Sequence, residues 1–273
     1  MGDFRGLVRV SAHTDDELCK IAGPGCPYTL PLAGRPLIDH AIRALCDAGV
    51  GQILVAIDES VADAVTPLIG DSGGTDLYVA VQPDGDEQAT MRAVETVLGE
   101  GPEPLVVAFG DSLLAETRLD EKAGRGDTVI EAPAVWHYDG TIDGVLEANT
   151  IVLDGLKRGR VGVDLSAASI QGRAQIDPTA ELNGAKLRGP VYIGPATRIV
   201  ETYVGPFTSI AGGVTLEGVE IEHSIVLPDA EIRYPGRRLE ASLVGEGAHI
   251  GRDYTLPSAL RLRVGPGSQI QLS

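Results

Sequence analysis

Basic residues are scarce in this chain. Its 273 residues contain 22 Lys and Arg but 39 Asp and Glu, which gives a formal net charge of −17 at pH 7. Nucleic acids and anionic membranes are held mainly through clusters of positive charge. The charge balance therefore argues against both as partners.

Long apolar runs are also missing, and cysteines are few. No run approaches the roughly 20 residues that cross a bilayer, and residues 1–7 do not form a signal peptide. Cys19, Cys26 and Cys46 lack the spacing of a metal site, and an odd, small set is typical of reduced thiols. With 43% hydrophobic residues, the sequence predicts a cytoplasmic globular protein of one or two domains.

A strand, a loop and a helix follow one another within residues 7–45. Residues 7–10 form a short apolar strand, and a polar loop follows it. The segment PLAGRPL then leads into residues whose apolar side chains are spaced as in a helix. The apolar residues at this spacing are Leu37, Ile38, Ala41, Ile42 and Leu45. The loop of such a unit lies at the carboxyl end of the strand, where open α/β sheets bind their ligands.

The same alternation continues to about residue 109. Residues 51–58, 77–81 and 104–109 have the composition of strands, and residues 60–68 and 87–98 that of helices. Alternating strands and helices favour a mostly parallel sheet that is covered on both faces. We therefore predict an α/β domain in residues 1–158.

From about residue 161 the pattern changes. Apolar residues recur every five or six positions, at Ile170, Ile176, Leu182, Leu187, Ile193, Ile199, Val204, Ile210, Leu216, Ile221, Val226 and Ile232. Neither a helix nor a hairpin meander repeats in this way, whereas a β-helix places one inward residue on each triangular face at this period. We predict a β-helix domain in residues 159–273, and we expect homo-oligomers through its flat faces and exposed ends.

Both halves resemble the sugar-1-phosphate nucleotidyltransferases, in particular the glucose-1-phosphate thymidylyltransferases with a β-helical tail. Pro31, Gly34, Arg35, Pro36 and Leu37 fall at the turn that leads into the first helix of that family. The segments VGPFTSI, EIEHSIVL and LEASLVG resemble its tail. The resemblance implies a truncated Rossmann-like nucleotidyltransferase domain followed by a left-handed parallel β-helix.

The loop after the first strand departs from this family. Ala12 and His13 stand where the family has a glycine pair, and Asp15, Asp16 and Glu17 stand where it has Gly, Thr and the catalytic Arg. A triphosphate needs close backbone amides and cationic side chains. Each carboxylate within a few ångströms of a phosphate costs on the order of a few kcal/mol at an intermediate dielectric. We infer that this loop has lost nucleotidyl transfer, unless a bound divalent metal offsets the repulsion.

The segment AHTDDE in the same loop also resembles the A-H-P-D-D-E motif of zinc-dependent N-deacetylases. That resemblance implies that His13 and Asp16 are metal ligands and that Asp15 is the general base. The cofactor is left open, with a divalent metal as the candidate. The alternative is a solvated acidic loop that remains from a decayed active site.

Further candidate residues follow the later strands. Gln82 lies where the thymidylyltransferases read a pyrimidine base, Asp111 lies where their G-D motif holds a metal, and WHYDG resembles their W-x-D-T-G turn. The ligand-binding candidates are Gln82, Asp111, Trp136, His137, Tyr138 and Asp139. Only twenty-four residues separate Asp111 from Trp136, too few for the family's sugar-recognition lobe. We predict an open groove bordered by the acidic loop, Asp111 and the tryptophan turn.

Several functions stay open from the sequence. The first is an enzyme repurposed to act on a different small molecule of a biosynthetic pathway, with Asp15, Asp16, Glu17 and His13 as acid, base or metal ligands. The second is a non-catalytic sensor of sugar nucleotides, or a partner of an active nucleotidyltransferase. The others are a working glucose-1-phosphate thymidylyltransferase and a metal-dependent hydrolase or deacetylase that uses the AHTDDE loop.

Overall fold

The computed structural model describes residues 4–13, 17–70, 74–99, 101, 103–115, 128–156 and 168–252. Its first half alternates strands with helices. The strands are β1 Arg5–Val10, β2 Pro31–Leu32, β3 Arg35–Pro36, β4 Gln52–Asp58, β5 Asp76–Gln82, β6 Leu105–Phe109, β7 Ser112–Leu114, β8 Val129–Glu131 and β9 Ala134–His137. The helices are α1 Glu17–Ala22, α2 Leu37–Asp47, α3 Glu59–Val65, α4 Glu87–Leu98 and α5 Ile142–Asp154. In these described ranges, no helix has the length and apolarity to cross a membrane.

A five-stranded parallel sheet forms the centre of this half, in the order β5-β4-β1-β6-β8. The side chains of β4 alternate between the two faces of this sheet and pack with helices on both. Ile53, Val55 and Ile57 pack with α2 and α3, and Leu54 and Ala56 pack with α4 on the opposite side. The predicted parallel sheet with helices on both faces is therefore confirmed.

The predicted elements differ from the structure in two places. The polar loop predicted after β1 contains a short helix, α1. The helix expected over residues 60–68 is α-helical only to Val65 and continues as a 3₁₀ turn over Thr66–Leu68. Pro67 has no backbone N–H, so it cannot donate an α-helical hydrogen bond at this point.

The second half is a parallel β-helix built from three five-stranded sheets. Its strands are β10 Ala168–Gln171, β11 Ala174–Ile176, β12 Glu181–Asn183, β13 Ala185–Arg188, β14 Val191–Ile193, β15 Arg198–Val200, β16 Tyr203–Val204, β17 Thr208–Ile210, β18 Thr215–Glu217, β19 Glu220–Glu222, β20 Ile225–Val226, β21 Glu231–Arg233, β22 Leu239–Glu240, β23 Leu243–Val244 and β24 His249–Gly251. Each sheet takes one strand from each successive coil, which is consistent with the predicted left-handed β-helix.

The apolar residues predicted to point inward form the core of the β-helix. Ile193, Ile210 and Val226 occupy matching positions in neighbouring coils and stack in register. All twelve predicted inward residues are buried except Ile170, which is partly buried at the first coil. The predicted boundary between residues 158 and 159 lies outside the described residues and stays a prediction.

One sheet of the β-helix packs against the α/β half. Ile225 and Leu227 share an apolar cluster with Leu18 of α1, Trp136 of β9 and Val145 of α5. Tyr192 lies against Gly34 in the β2–β3 turn, where any Cβ would clash with its hydroxyl. Gly34 also has a φ of +79°, so both the space and the backbone require glycine.

A buried hydrogen-bond chain joins the two halves at this contact. Asn149 of α5 donates through Nδ2 to the carbonyl of Phe207 at 3.0 Å, and its Oδ1 accepts from the Ser209 hydroxyl at 2.6 Å. The Ser209 hydroxyl in turn accepts from the backbone N–H of Ala33 at 3.3 Å. Since Asn149 is fully buried, water cannot replace these bonds.

We expect Asn149→Ala to lower the free energy of unfolding by about 2–3 kcal/mol, because the buried Ser209 hydroxyl and the part-buried Phe207 carbonyl each lose a hydrogen bond. Urea unfolding followed by circular dichroism measures this value. The control is Asn183→Ala, at an exposed position of β12, for which we expect a change below about 0.5 kcal/mol. Equal effects of the two substitutions would contradict the bridging role of Asn149.

His40 of α2 gives the stability of the α/β half a dependence on pH. Its Nε2 atom lies 3.1 Å from the carbonyl of Leu32, and burial lowers the pKa of His40 below its ordinary value of 6.5. The unfolded chain therefore takes up a proton at a higher pH than the folded chain does. Stability contributed by neutral His40 is present above pH 6.5 and is lost as the pH falls through that value.

We expect the unfolding free energy to fall less steeply between about pH 7.5 and 5.5 in His40→Leu than in the wild type. Urea unfolding at both pH values measures the difference. Because carboxylates titrate in both proteins, only the difference between their slopes reports on His40. Parallel slopes would show that His40 makes no such contribution.

Candidate functional site

The candidate site lies at the carboxyl edge of the central sheet. His13 follows β1, Asp58 ends β4, Gln82 ends β5 and Asp111 follows β6. Because these four strands are parallel neighbours, their carboxyl ends meet at one edge. This is the edge at which open α/β sheets bind ligands.

Tyr28 lies beneath the site and holds the loop after β1 through its hydroxyl. Its hydroxyl accepts from the backbone N–H of Ser11 and donates to the carbonyl of the same residue, both at 3.0 Å. Burial raises the pKa of Tyr28 well above its ordinary value of 10.0, and the carboxylate of Asp111 raises it further. Tyr28 therefore keeps its proton throughout the physiological pH range. Sequence patterns do not single out this residue.

His13 forms a pair with Asp111 above Tyr28. The Nε2 atom of His13 lies 3.1 Å from Oδ2 of Asp111 and 3.2 Å from the Tyr28 hydroxyl. The Tyr28 proton is already donated to Ser11, so both neighbours of Nε2 act as acceptors. Nε2 therefore carries a proton, and in the neutral ring Nδ1 carries the lone pair. The His13 side chain is 27% exposed, so a ligand can reach it.

Asp58 ties two loops together beneath this edge. It is buried, and its Oδ2 atom accepts from the backbone N–H of Ala12 at 3.0 Å and of Gly85 at 3.3 Å. Asp58 is not among the site residues predicted from the sequence. The sequence does offer a sign of its role, because Asp58 is a single carboxylate at the end of an otherwise apolar strand. A carboxylate that is buried in such a place needs hydrogen-bond partners.

The first amides of the loop after β1 are therefore already bound within the chain. The N–H of Ser11 donates to Tyr28, and that of Ala12 donates to Asp58. A phosphate group bound here would need such amides to be free. Arg9, a cation on β1, forms an ion pair with Glu87 at 3.1 Å.

Gln82 and Trp136, two predicted ligand-binding residues, lie mostly inside the protein. Gln82 is 8% exposed, and its Oε1 atom accepts from the Thr90 hydroxyl at 2.7 Å. Trp136 is 7% exposed and packs with Leu113 and Val145 in the cluster between the two halves. The geometry thus gives Trp136 a packing role.

The three residues after Trp136 have different surroundings. The Tyr138 ring meets the His13 ring edge-on with centroids 5.4 Å apart, so Tyr138 borders the site. Nδ1 of His137 is 2.7 Å from the Ser112 hydroxyl on the neighbouring strand. Oδ1 of Asp139 accepts from the hydroxyl and the backbone N–H of Thr141, and these bonds lower the pKa of Asp139. Asp139 therefore fixes Thr141, the residue that precedes α5.

The acidic residues of the predicted catalytic loop are only partly described. Glu17 is exposed at the start of α1, while Asp15 and Asp16 lie outside the described residues. No group of three or more His, Cys, Asp and Glu side chains in the described ranges is placed to hold a metal. The metal site of His13 and Asp16 and the catalytic roles of Asp15, Asp16 and Glu17 stay predictions.

Comparison with known proteins identifies relatives of both halves. No protein-family model matches the chain. It is 35% identical over 151 residues to a glucose-1-phosphate thymidylyltransferase of Streptomyces griseus, a match that covers 55% of this chain and 42% of that enzyme. The chain is related to the sugar-1-phosphate nucleotidyltransferases. A bifunctional protein GlmU of Rhizobium etli is 24% identical over 193 residues, 66% of this chain and 42% of that protein.

One nucleotidyltransferase matches over almost its whole length. The low-salt glycan biosynthesis nucleotidyltransferase Agl11 of Haloferax volcanii is 28% identical over 358 residues, 97% of this chain and 99% of that protein. Since the chain has only 273 residues, part of Agl11 has no counterpart in it. The match to the Streptomyces griseus enzyme spans less than half of that enzyme. The expected loss of the sugar-recognition lobe between Asp111 and Trp136 stays a prediction.

Proposed function

We propose that this nucleotidyltransferase-like chain has lost nucleotidyl transfer and acts on a different small molecule of a biosynthetic pathway, with His13 as its acid–base residue. The observation that carries the proposal is the His13–Asp111 pair. It lies at the edge where the related enzymes are expected to bind polyphosphate, beside a loop whose first amides bind Tyr28 and Asp58.

The charge of this edge supports the loss of nucleotidyl transfer. Asp58 and Asp111 are carboxylates, and Arg9 is paired with Glu87. At about 5 Å and an effective dielectric of about 20, each carboxylate repels a phosphate charge by about 3 kcal/mol. Phosphoryl transfer depends on cations at this position, so the chemistry has no electrostatic support from these residues.

The geometry of His13 supports acid–base chemistry. Asp111 and Tyr28 hold the protonated Nε2 atom, and Nδ1, which makes no hydrogen bond to the described residues, can accept a proton from a ligand. A carboxylate that orients a histidine also stabilises the imidazolium formed when the proton is taken up. The Tyr138 ring packs edge-on against the His13 ring.

A metal-dependent hydrolase is the second candidate. Metal-binding histidines commonly donate their second ring N–H to a carboxylate, as His13 does to Asp111. Nδ1 of His13 would then be the metal-binding atom, and the metal would activate water. Metal analysis of the purified wild type, with His13→Ala and Asp16→Ala as comparison, decides this candidate. A wild type without Zn, Mn or Fe would exclude it.

The proposed enzyme is tested by capturing ligands from a metabolite extract and identifying them by mass spectrometry. We expect a compound that binds the wild type and binds His13→Gln at least ten-fold more weakly. His249→Gln, at an exposed position of β24, is the matched control and should behave as wild type. A captured compound that binds His13→Gln equally would contradict a role for His13. Oligomerisation through the β-helix and a cytoplasmic location also stay predictions.

A further inference from the structure

Among the described strands, β5 forms an open edge of the central sheet. It is the terminal strand, and β4 is its neighbour on the other side. Three of its apolar side chains are exposed: Tyr78 by 37%, Val79 by 41% and Val81 by 53%. A long apolar edge without a charge or a proline is a surface that natural proteins usually protect or pair. Residues 77–82 contain neither.

The backbone of β5 offers hydrogen bonds on this open side. The N–H of Asp76 donates to the carbonyl of Gly51 beside β4, so the backbone groups of Asp76 point toward β4. Because N–H and C=O groups alternate sides along a strand, those of Leu77, Val79 and Val81 face outward. In the described part of the chain, no strand lies on that side. The side chains of these three residues lie on the face of the sheet that carries α3, where Leu77 is partly buried and Val79 and Val81 stay exposed.

We propose that β5 pairs with β5 of a second copy of this chain, antiparallel about a two-fold axis at Val79. In this register Val79 faces Val79 of the second copy, and Leu77 faces Val81. These are the positions with outward N–H and C=O groups, and such pairs exchange two hydrogen bonds each. The two five-stranded sheets become one continuous sheet.

The charges of β5 favour a second copy in this orientation. Asp76 is the one charged residue of the strand and lies at its start. In the antiparallel register Asp76 faces Gln82 of the other copy, so the two carboxylates lie at opposite ends. Parallel pairing would place like charges side by side and would not close into a symmetric dimer.

The size of the contact predicts a weak dimer. Seven residues span about 20 Å, and a contact of one strand per copy is at the low end of specific interfaces. The net charge of −17 opposes association at low ionic strength. Dimerisation should therefore require micromolar concentrations and increase with added salt.

Sedimentation velocity of the full chain from about 1 to 200 μM, at low and high salt, tests the proposal. We expect the wild type to pass from monomer to dimer and Val79→Lys and Val81→Lys to associate at least ten-fold more weakly. Val129→Lys is the matched control, since Val129 is 57% exposed on β8 at the opposite edge. It should behave as wild type, and thermal unfolding should be similar in all variants.

Hydrogen exchange of the wild type gives an independent readout that needs no substitution. Peptides that cover residues 76–82 should gain protection as the concentration rises. A chain that stays monomeric at about 200 μM would overturn the proposal. The β5 edge would then be a candidate site for a strand of a different protein. Oligomers that the lysine substitutions do not weaken would also overturn it, and they would point to the β-helix as the contact.

Discussion

The purified chain, given dTTP, glucose 1-phosphate and Mg²⁺, is expected to release no pyrophosphate above the enzyme-free background. Cationic groups that stabilise a transferring phosphoryl group contribute about 10³–10⁵ in rate. In this chain Ala12 and Ser11 use their amides internally, and Asp58 and Asp111 present carboxylates at the same edge. The rate should therefore lie at least about 10⁴-fold below that of an active enzyme.

The Streptomyces griseus glucose-1-phosphate thymidylyltransferase, assayed in parallel, is the positive control, since it is 35% identical over the matched residues. Direct titration with dTTP extends the test to binding, because a sensor would bind the nucleotide without turnover. Pyrophosphate release within a hundred-fold of the control enzyme would refute the loss of nucleotidyl transfer. Binding of dTTP without turnover would favour the sensor over the repurposed enzyme.

The fold could be predicted from the sequence wherever apolar residues follow a regular period. Strand β4 is apolar from Ile53 to Ile57, and the β-helix core repeats once per face through Ile193, Ile210 and Val226. These patterns report burial directly, because each inward position needs an apolar side chain in every coil. The strand and helix bounds were accordingly close to those observed.

The site could be predicted only in part, because its contacts join distant segments. His13 and Asp111 were both selected, but their contact spans 98 positions and has no local signal. Tyr28 looks like an ordinary loop residue until Ser11 and His13 are brought to its hydroxyl. Helix α1 has six residues and would be marginal alone, so it depends on Leu18 packing against the β-helix.

Asp58→Ala is expected to destabilise the chain by about 3–5 kcal/mol. Its carboxylate satisfies the N–H groups of Ala12 and Gly85 at a buried position, and each unsatisfied buried donor costs about 1–3 kcal/mol. The loop after β1 would also lose its tie to the loop before α4. Urea unfolding measures the free energy, and hydrogen exchange at Ala12 and Gly85 measures the local loosening.

Two further variants separate the hydrogen bonds of Asp58 from its charge and size. Asp58→Asn keeps an acceptor oxygen of similar position, so we expect it to recover part of the loss. Asp63→Ala makes the same truncation at an exposed position of α3, and we expect a change below about 0.5 kcal/mol. If Asp58→Ala and Asp63→Ala proved equally stable, the bonds to Ala12 and Gly85 would not hold this edge together. The internal use of the loop amides, on which the proposed loss of phosphate binding depends, would then lack support.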